Sequence, residues 1–325
     1  MARKQVAVVG LDTVGIALTL ALKLHASDVV VVGVDADADR RREASRLGKV
    51  DRVESHFTAG CRDATLIILN APLLQLQEAL QALGEQPPAN AVVLALAPVA
   101  GAPQRWAAEF LTERLPYLVA HLVLHPDAAV EGEPRADLFH GAVLCLLAEV
   151  NTSERALTAG SDLARALGAR TYFMDAGEHD VLLALAEGMP GLVSGAVLLA
   201  ATRSSLWKDL IPLGGVIFKQ VTGPLFDSAI DAGEALIQNR VEVLRQLDVF
   251  LEALREVRQL VEAEDGVQLK TALRTAAEQW VIWLSERPHR PWSDEEARFG
   301  PPRELPRLNP LAPGWGMNTK NNKPK

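Results

Sequence analysis

The sequence predicts an α/β fold, a doubly wound parallel sheet, followed by an all-helical domain. Three observations carry that prediction. Short continuous apolar runs at 6–9, 29–34, 65–69 and 91–96 alternate with segments of helical period at 14–24 and 73–83. Strands that are apolar throughout are covered on both faces, as in parallel sheets flanked by helices. The first turn carries Gly10 and Gly15, and the second apolar run ends on Asp35. From Glu178 onward strand signals nearly vanish, and segments 181–205, 225–263 and 267–284 are long, rich in Leu and Ala, and helical in period.

Taken in order, residues 6–9 form a first buried strand and 14–24 a helix. Residues 29–34 form a second strand, and the polar stretch after Asp35 opens another helix. The strands at 65–69 and 91–96 follow with the amphipathic 73–83 between them, which completes a βαβαβ pattern. Two later strands are expected at 117–124 and 142–147, then a helix over 153–167 and a last strand over 170–174. The expected division is therefore 1–174 for a dinucleotide-binding Rossmann-like domain and 175–285 for the helical part. Residues 286–325 are rich in Pro, Arg and Asn and read as an irregular tail, with Trp292 and Trp315 able to pin it. Several helical segments are apolar on more than one face, which points to a homodimer built through a helical dimerisation domain. A purely intramolecular bundle is the alternative.

Bulk composition narrows the partners. Of 325 residues 49% are apolar, ample for two cores, and the formal net charge of -8 argues against nucleic acid. An anionic small molecule would have to meet local positive charge. Cys61 and Cys145 stand far apart within or beside apolar runs, so they read as buried spectator thiols in a reducing cytoplasm. The seven histidines and two cysteines show no metal-ligand spacing, so no metal is expected. The first residues run straight into a strand, and no apolar run approaches the roughly 20 residues of a membrane span. No membrane partner is expected.

Residues Gly10, Leu11, Asp12, Thr13, Val14 and Gly15 keep the first and third glycines of the dinucleotide fingerprint, but Asp12 replaces the second. Gly10 permits the tight turn, Gly15 permits close packing of the helix, and the helix N-terminus offers amides to a pyrophosphate. A carboxylate about 4 Å from a phosphate charge costs on the order of 4 kcal/mol at an effective dielectric of about 20. Asp12 must point away, be neutralised, or mark a weakened site; its other reading is a helix cap. Asp35 falls twenty residues after Gly15, where a carboxylate receives the ribose hydroxyls of NAD, and it would repel a 2′-phosphate. NAD is thus favoured over NADP, although Arg40, Arg41 and Arg42 could soften the rejection if they are more than a solvated helix face. Ala71 and Pro72, just past the strand at 65–69, are assigned to the same cofactor.

Further along, an ordered set of motifs resembles the prephenate and arogenate dehydrogenase family. It comprises His125-Pro126-Asp127-Ala128-Ala129, residues 136–141, 167–170 and 174–180, and finally 238–244, and with the first turn it spans roughly residues 5–260. The resemblance implies a Rossmann-like domain followed by a helical dimerisation domain. It also implies oxidation of a cyclohexadienyl substrate by NAD(P), with loss of the ring carboxylate, towards tyrosine. Such chemistry needs a group to take the ring hydroxyl proton, and imidazole suits. The resemblance gives that role to His125 and keeps Lys219 for the substrate.

Other family positions differ. Pro98 stands at or near an orienting serine, Gly188 and Gly191 replace two histidines, and Gly223 replaces a carboxylate-binding arginine. Arg203 or Arg240 could substitute only if the fold brings them inward. His179 reads as a cap and hinge, and His121 as a core residue. Three readings stay open: a dehydrogenase with an altered site, a catalytically reduced dimeric relative acting as a sensor or accessory protein, and a dehydrogenase for a less charged substrate in a pocket lined by Met189, Leu192 and Phe218.

Overall fold

In a computed structural model of the chain, residues 4–25, 29–47, 50–112, 114–128, 132–223 and 229–286 are described. The strands are β1 (Gln5–Val9), β2 (Val30–Val34), β3 (Arg52–Glu54), β4 (Leu66–Asn70), β5 (Val92–Leu96), β6 (Tyr117–Val123), β7 (Val143–Leu147) and β8 (Arg170–Met174). They form one sheet in the order β3-β2-β1-β4-β5-β6-β7-β8. Strand order reverses between β1 and β4, the switch point at which open α/β sheets place their ligands.

All neighbours are parallel except β6 and β7, which pair antiparallel with His121 opposite Cys145. The sheet is thus the expected doubly wound, mostly parallel one, with this single antiparallel pair among its described strands. A parallel crossover needs a long connection, usually a helix. The β6–β7 connection instead carries only a short 3-10 turn, Ala136–Phe139, among its described residues.

Helices α1 (Thr13–His25), α2 (Ala38–Arg46), α3 (Phe57–Cys61), α4 (Leu73–Glu85), α5 (Gly101–Phe110) and α6 (Glu154–Leu167) flank the sheet. Alternation along the strands separates two cores. Val8, Ile68, Leu94, Leu118 and Leu144 pack with Leu18 and Phe139 on one face. On the other, Ala7, Ile67, Val93 and Val119 pack with Leu76, Leu80 and Trp106. Ser153 caps α6 by accepting from Ala156 N, and Gly168 ends it in the left-handed conformation that allows β8 to begin at once. Cys61 and Cys145 are buried and reduced, and burial pushes the Cys61 thiol up to about 12.

After β8 the chain is helical. An unbroken helix runs over Ala176–Arg203, as α7 (Ala176–Leu183), a π-turn (Ala184–Gly188) and α8 (Met189–Arg203). Then come α9 (Trp207–Leu213), α10 (Val216–Thr222), α11 (Ala229–Gln238), α12 (Arg240–Glu262) and α13 (Gly266–Ser285). The helix over Ala176–Arg203 is long and apolar enough to cross a membrane by length and composition, which corrects the expectation that no such run exists. Glu187 and Pro190 interrupt the apolar pattern, yet the helix passes through both. Pro190 sits at the start of α8, where a missing N–H is least costly. The tail expected over 286–325, including Trp292 and Trp315, lies outside the described residues beyond Glu286.

Candidate active site

The turn after β1 is sterically determined. Gly10 has φ 91°, and a Cβ there would lie 1.7 Å from the carbonyl oxygen of Asn70. A Cβ on Gly15 would lie 1.9 Å from the carbonyl oxygen of Gly10. Both glycines are therefore required for the strand to turn and for α1 to seat against β1 and β4. Asp12 is the cap of α1: its Oδ1 accepts from Gly15 N at 2.8 Å and from Asn70 Nδ2 at 2.8 Å. The carboxylate thus takes one first-turn amide. Those of Thr13 and Val14 precede the reach of intrahelical acceptors and remain directed at the helix end.

Asp35 closes the other side. Its Oδ2 accepts from Leu11 N at 2.8 Å and its Oδ1 from Asp37 N at 2.8 Å, with Arg40 Nη1 3.6 Å away. The Asp35 carboxylate is thus fixed against the turn after β1 itself. Arg41 bonds the carbonyls of Asp35 and Ala36, and Arg42 pairs with Asp39. Ala71 follows β4, and Pro72 is the residue before α4. Turn, helix end and Asp35 fit a dinucleotide; the charge of Asp12 is the element that opposes one. Asp12→Asn keeps an oxygen acceptor for the cap and removes that charge. It should tighten dinucleotide binding by roughly tenfold, about 1.4 kcal/mol, in a calorimetric titration.

A cleft of ≈ 210 Å³ lies at the switch point, lined by Val14, Asn70, Leu96, Ala97, Pro98, His121, Leu122 and Leu124. It is walled by α1 and the carboxyl ends of β4, β5 and β6. Met189, Leu192 and Phe218 do not line it, nor does any lysine or arginine. Lys219 is exposed on α10, and Arg203 and Arg240 are exposed on their helices.

Behind the cleft runs a chain of polar side chains that sequence reading did not find. His121 Nδ1 and His179 Nε2 are 3.0 Å apart, and His179 Nδ1 is 3.0 Å from Asp180 Oδ1. Asp180 also accepts from Ala100 N at 2.8 Å and Gly101 N at 3.0 Å, the start of α5. On the far side, Glu187 Oε1 lies 3.7 Å from His121 Nε2. Both histidines are buried. His179 is therefore not the cap of α7, because Asp175 caps that helix by accepting from Gly177 N and Glu178 N. His121 is buried as expected, but within a polar chain and in the wall of the cleft. Its nearest partner is 58 residues away, so no local pattern could have revealed the pairing.

His125 is also buried, in the loop after β6. Its Nδ1 lies 3.2 Å from the Asp127 amide nitrogen and 3.8 Å from Asp127 Oδ2.

Burial, with His179 adding to it and Asp180 opposing, pushes the His121 pKa down to about 3. The folded protein thus holds His121 neutral where the unfolded chain, with a value near 6.5, takes up a proton. In that window the unfolded state binds more protons, so stability falls as pH drops from about 6.5 towards 3. The thermal midpoint of the wild type should fall across this range, and that of His121→Gln should fall less steeply.

The sheet order, the glycine turn and the switch-point cleft define a Rossmann-like nucleotide-binding protein with a helical second part. Residues 18–173 match the nucleotide-binding domain of prephenate dehydrogenase. Over that part of its length the chain is similar to the prephenate dehydrogenase family. It is 23% identical to a prephenate dehydrogenase of Bacillus subtilis, over 82% of this chain and 72% of that protein. Identity is also 23% to a cyclohexadienyl dehydrogenase of Zymomonas mobilis, over 81% and 90%. In fold it is similar to prephenate dehydrogenase from Aquifex aeolicus, solved with hydroxyphenyl propionate and NAD+. That likeness has a TM-score of 0.77 and 19% identity over 87% of this chain and 99% of the other.

Proposed function

We propose that the protein is a nicotinamide-dinucleotide-dependent dehydrogenase that oxidatively decarboxylates a cyclohexadienyl substrate of the prephenate or arogenate type, a cytoplasmic step towards tyrosine. The observation that supports this most is the cleft at the switch point. It places a buried imidazole, His121, in one wall and the dinucleotide turn, through Val14, in another. A nicotinamide bound there would supply the hydride acceptor. The protein's part is to hold the dinucleotide by Gly10, the α1 amides and Asp35, to exclude water with Leu96, Leu122 and Leu124, and to manage the hydroxyl proton. Asp35 favours NAD over NADP, because its carboxylate would face a 2′-phosphate.

The second half carries the proposal of a homodimer. Leu213 and Ile217 are each 78% exposed in the single chain, and Leu206, Ile211 and Val216 are exposed beside them on α9, α10 and the preceding turn. An apolar surface of that extent is suited to a second copy of the same chain. The long helix over Ala176–Arg203 enters the sheet domain through His179 and Asp180, so pairing there would set the back of the cleft.

Parallel initial-rate assays with prephenate and arogenate, read at the reduced nicotinamide band, test the reading. Formation of reduced cofactor from either supports it, and their ratio assigns the substrate. No reduced cofactor from either, with dinucleotide bound, refutes it.

A further inference from the structure

No lysine or arginine lines the cleft, and the charged side chains set against its lining residues are carboxyls. Asp12 is bonded to Asn70, and Glu187 Oε1 stands 3.7 Å from His121 Nε2. Glu187 belongs to the π-turn that interrupts the long helix over Ala176–Arg203, a feature frequent at functional sites.

The Glu187 carboxyl has no cationic partner among the described residues, and no lysine or arginine pairs with it. At 3.7 Å it is too far from His121 for a hydrogen bond. Burial keeps His121 neutral down to about 3, so that ring offers no charge either. Half of the Glu187 side chain is exposed, which leaves it open to a bound molecule. Burial of the remainder raises its pKa, with His179 opposing. A carboxyl partly withdrawn from water and without a counter-charge is stabilised by a cation placed beside it.

The two cyclohexadienyl substrates of the reading above differ at one group. Both carry a ring hydroxyl and two carboxylates, but arogenate has an ammonium where prephenate has a keto oxygen. Arogenate therefore brings a positive charge to a site whose own charges are negative. Prephenate brings none.

We propose that Glu187 is the specificity-determining residue of the site: it receives the ammonium of an α-amino acid side chain, so the protein takes arogenate in preference to prephenate. The inference rests on the dehydrogenase reading for the ring chemistry, and on the charges around the cleft for the choice of side chain. An ammonium directed towards the π-turn forms a charge-assisted hydrogen bond with the carboxylate. The keto acid offers the same carboxylate only a carbonyl oxygen and a second negative charge, both of which it repels. A site that holds a polar group for one partner rejects the analogue lacking that partner, because the group is then left unpaired.

Two measurements on the full chain test this. Initial rates at saturating NAD should give the wild type a kcat/KM for arogenate at least about tenfold above that for prephenate. Glu187→Gln keeps the size of the side chain and removes its charge. It should lower kcat/KM for arogenate by about tenfold, mainly through KM, and raise that for prephenate a few-fold. A wild type that prefers prephenate, or a ratio that Glu187→Gln leaves unchanged, overturns the proposal. The second measurement needs no turnover. It is calorimetric titration, with NAD present, of tyrosine and of hydroxyphenyl propionate, which differ by one ammonium group. The wild type should bind tyrosine about tenfold more tightly, and Glu187→Gln should bind the two alike. Equal affinities in the wild type, or binding of neither, also overturn it. If neither substrate is oxidised while a preference for tyrosine is present and depends on Glu187, the dehydrogenase reading fails and the ammonium site stands.

Discussion

Alanine at position 15 should abolish the native state of the first domain. Its Cβ would meet the Gly10 carbonyl oxygen at 1.9 Å, a backbone atom that can yield only if the whole turn moves. Alanine at position 10 meets the Asn70 carbonyl at 1.7 Å and must also adopt a φ of 91°. Each change should cost more than about 3 kcal/mol, through overpacking combined in the second case with backbone strain. Loss of near-UV circular dichroism and of a cooperative thermal transition would report it. Gly191→Ala supplies the contrast. Nothing lies within 4 Å of a Cβ at that helical position, so alanine should leave stability unchanged or raise it by up to about 1 kcal/mol. Equal behaviour of the three variants would contradict the packing described for the turn.

The second large effect is expected at Asp180, the joint between sheet and helices. Its carboxylate receives three hydrogen bonds, and its own carbonyl oxygen accepts from Asn239 Nδ2 at 2.7 Å. Asp180→Ala leaves two amides and an imidazole N–H without their acceptor, and bonds to charged groups contribute about 1.5 to 3 kcal/mol each without strict additivity. A net loss of about 3 kcal/mol is expected, seen as a drop in thermal midpoint on the order of 10 °C. An unchanged midpoint would mean that the joint is held by apolar contacts alone. The same variant removes the partner of His179 Nδ1, so a stability loss should be accompanied by a change in the His179 NMR signals.

Much of the sheet was legible because its strands are covered on both faces. The runs at 6–9, 29–34, 65–69 and 91–96 agree with β1, β2, β4 and β5 to within a residue, and 170–174 coincides with β8. What escaped detection has a physical reason in each case. The edge strand β3 is three residues long and begins and ends on charge, so it carries no buried run. Helix α5 opens with glycine, alanine and proline and has no side-chain cap. Helices α9 and α10 are short and separated by Gly214 and Gly215, with Pro212 inside α9. Local pattern cannot state strand direction, so the antiparallel turn at β7 was invisible.

The site was legible only in part, for a different reason. Gly10, Gly15 and Asp35 lie within one supersecondary unit, and their spacing alone places them together. The histidine chain joins β6 to a helix beyond β8 and ends on an α5 terminus, across separations of 58 to 80 residues. Only the folded chain brings those groups into line. Asp12 shows a middle case, since one residue read both as a cap and as an obstacle to phosphate. The cap bonds are present, and the charge remains at the helix end.

The most direct test of the central claim is calorimetric titration of the full chain with NAD and with NADP, followed by addition of prephenate while reduced nicotinamide is monitored by absorbance. Heat of NAD binding, with weaker binding of NADP and growth of reduced cofactor once prephenate is added, is the predicted result. Binding of neither dinucleotide would show that Asp12 closes the turn, and would contradict the assignment of the cleft to a nicotinamide-dependent oxidation.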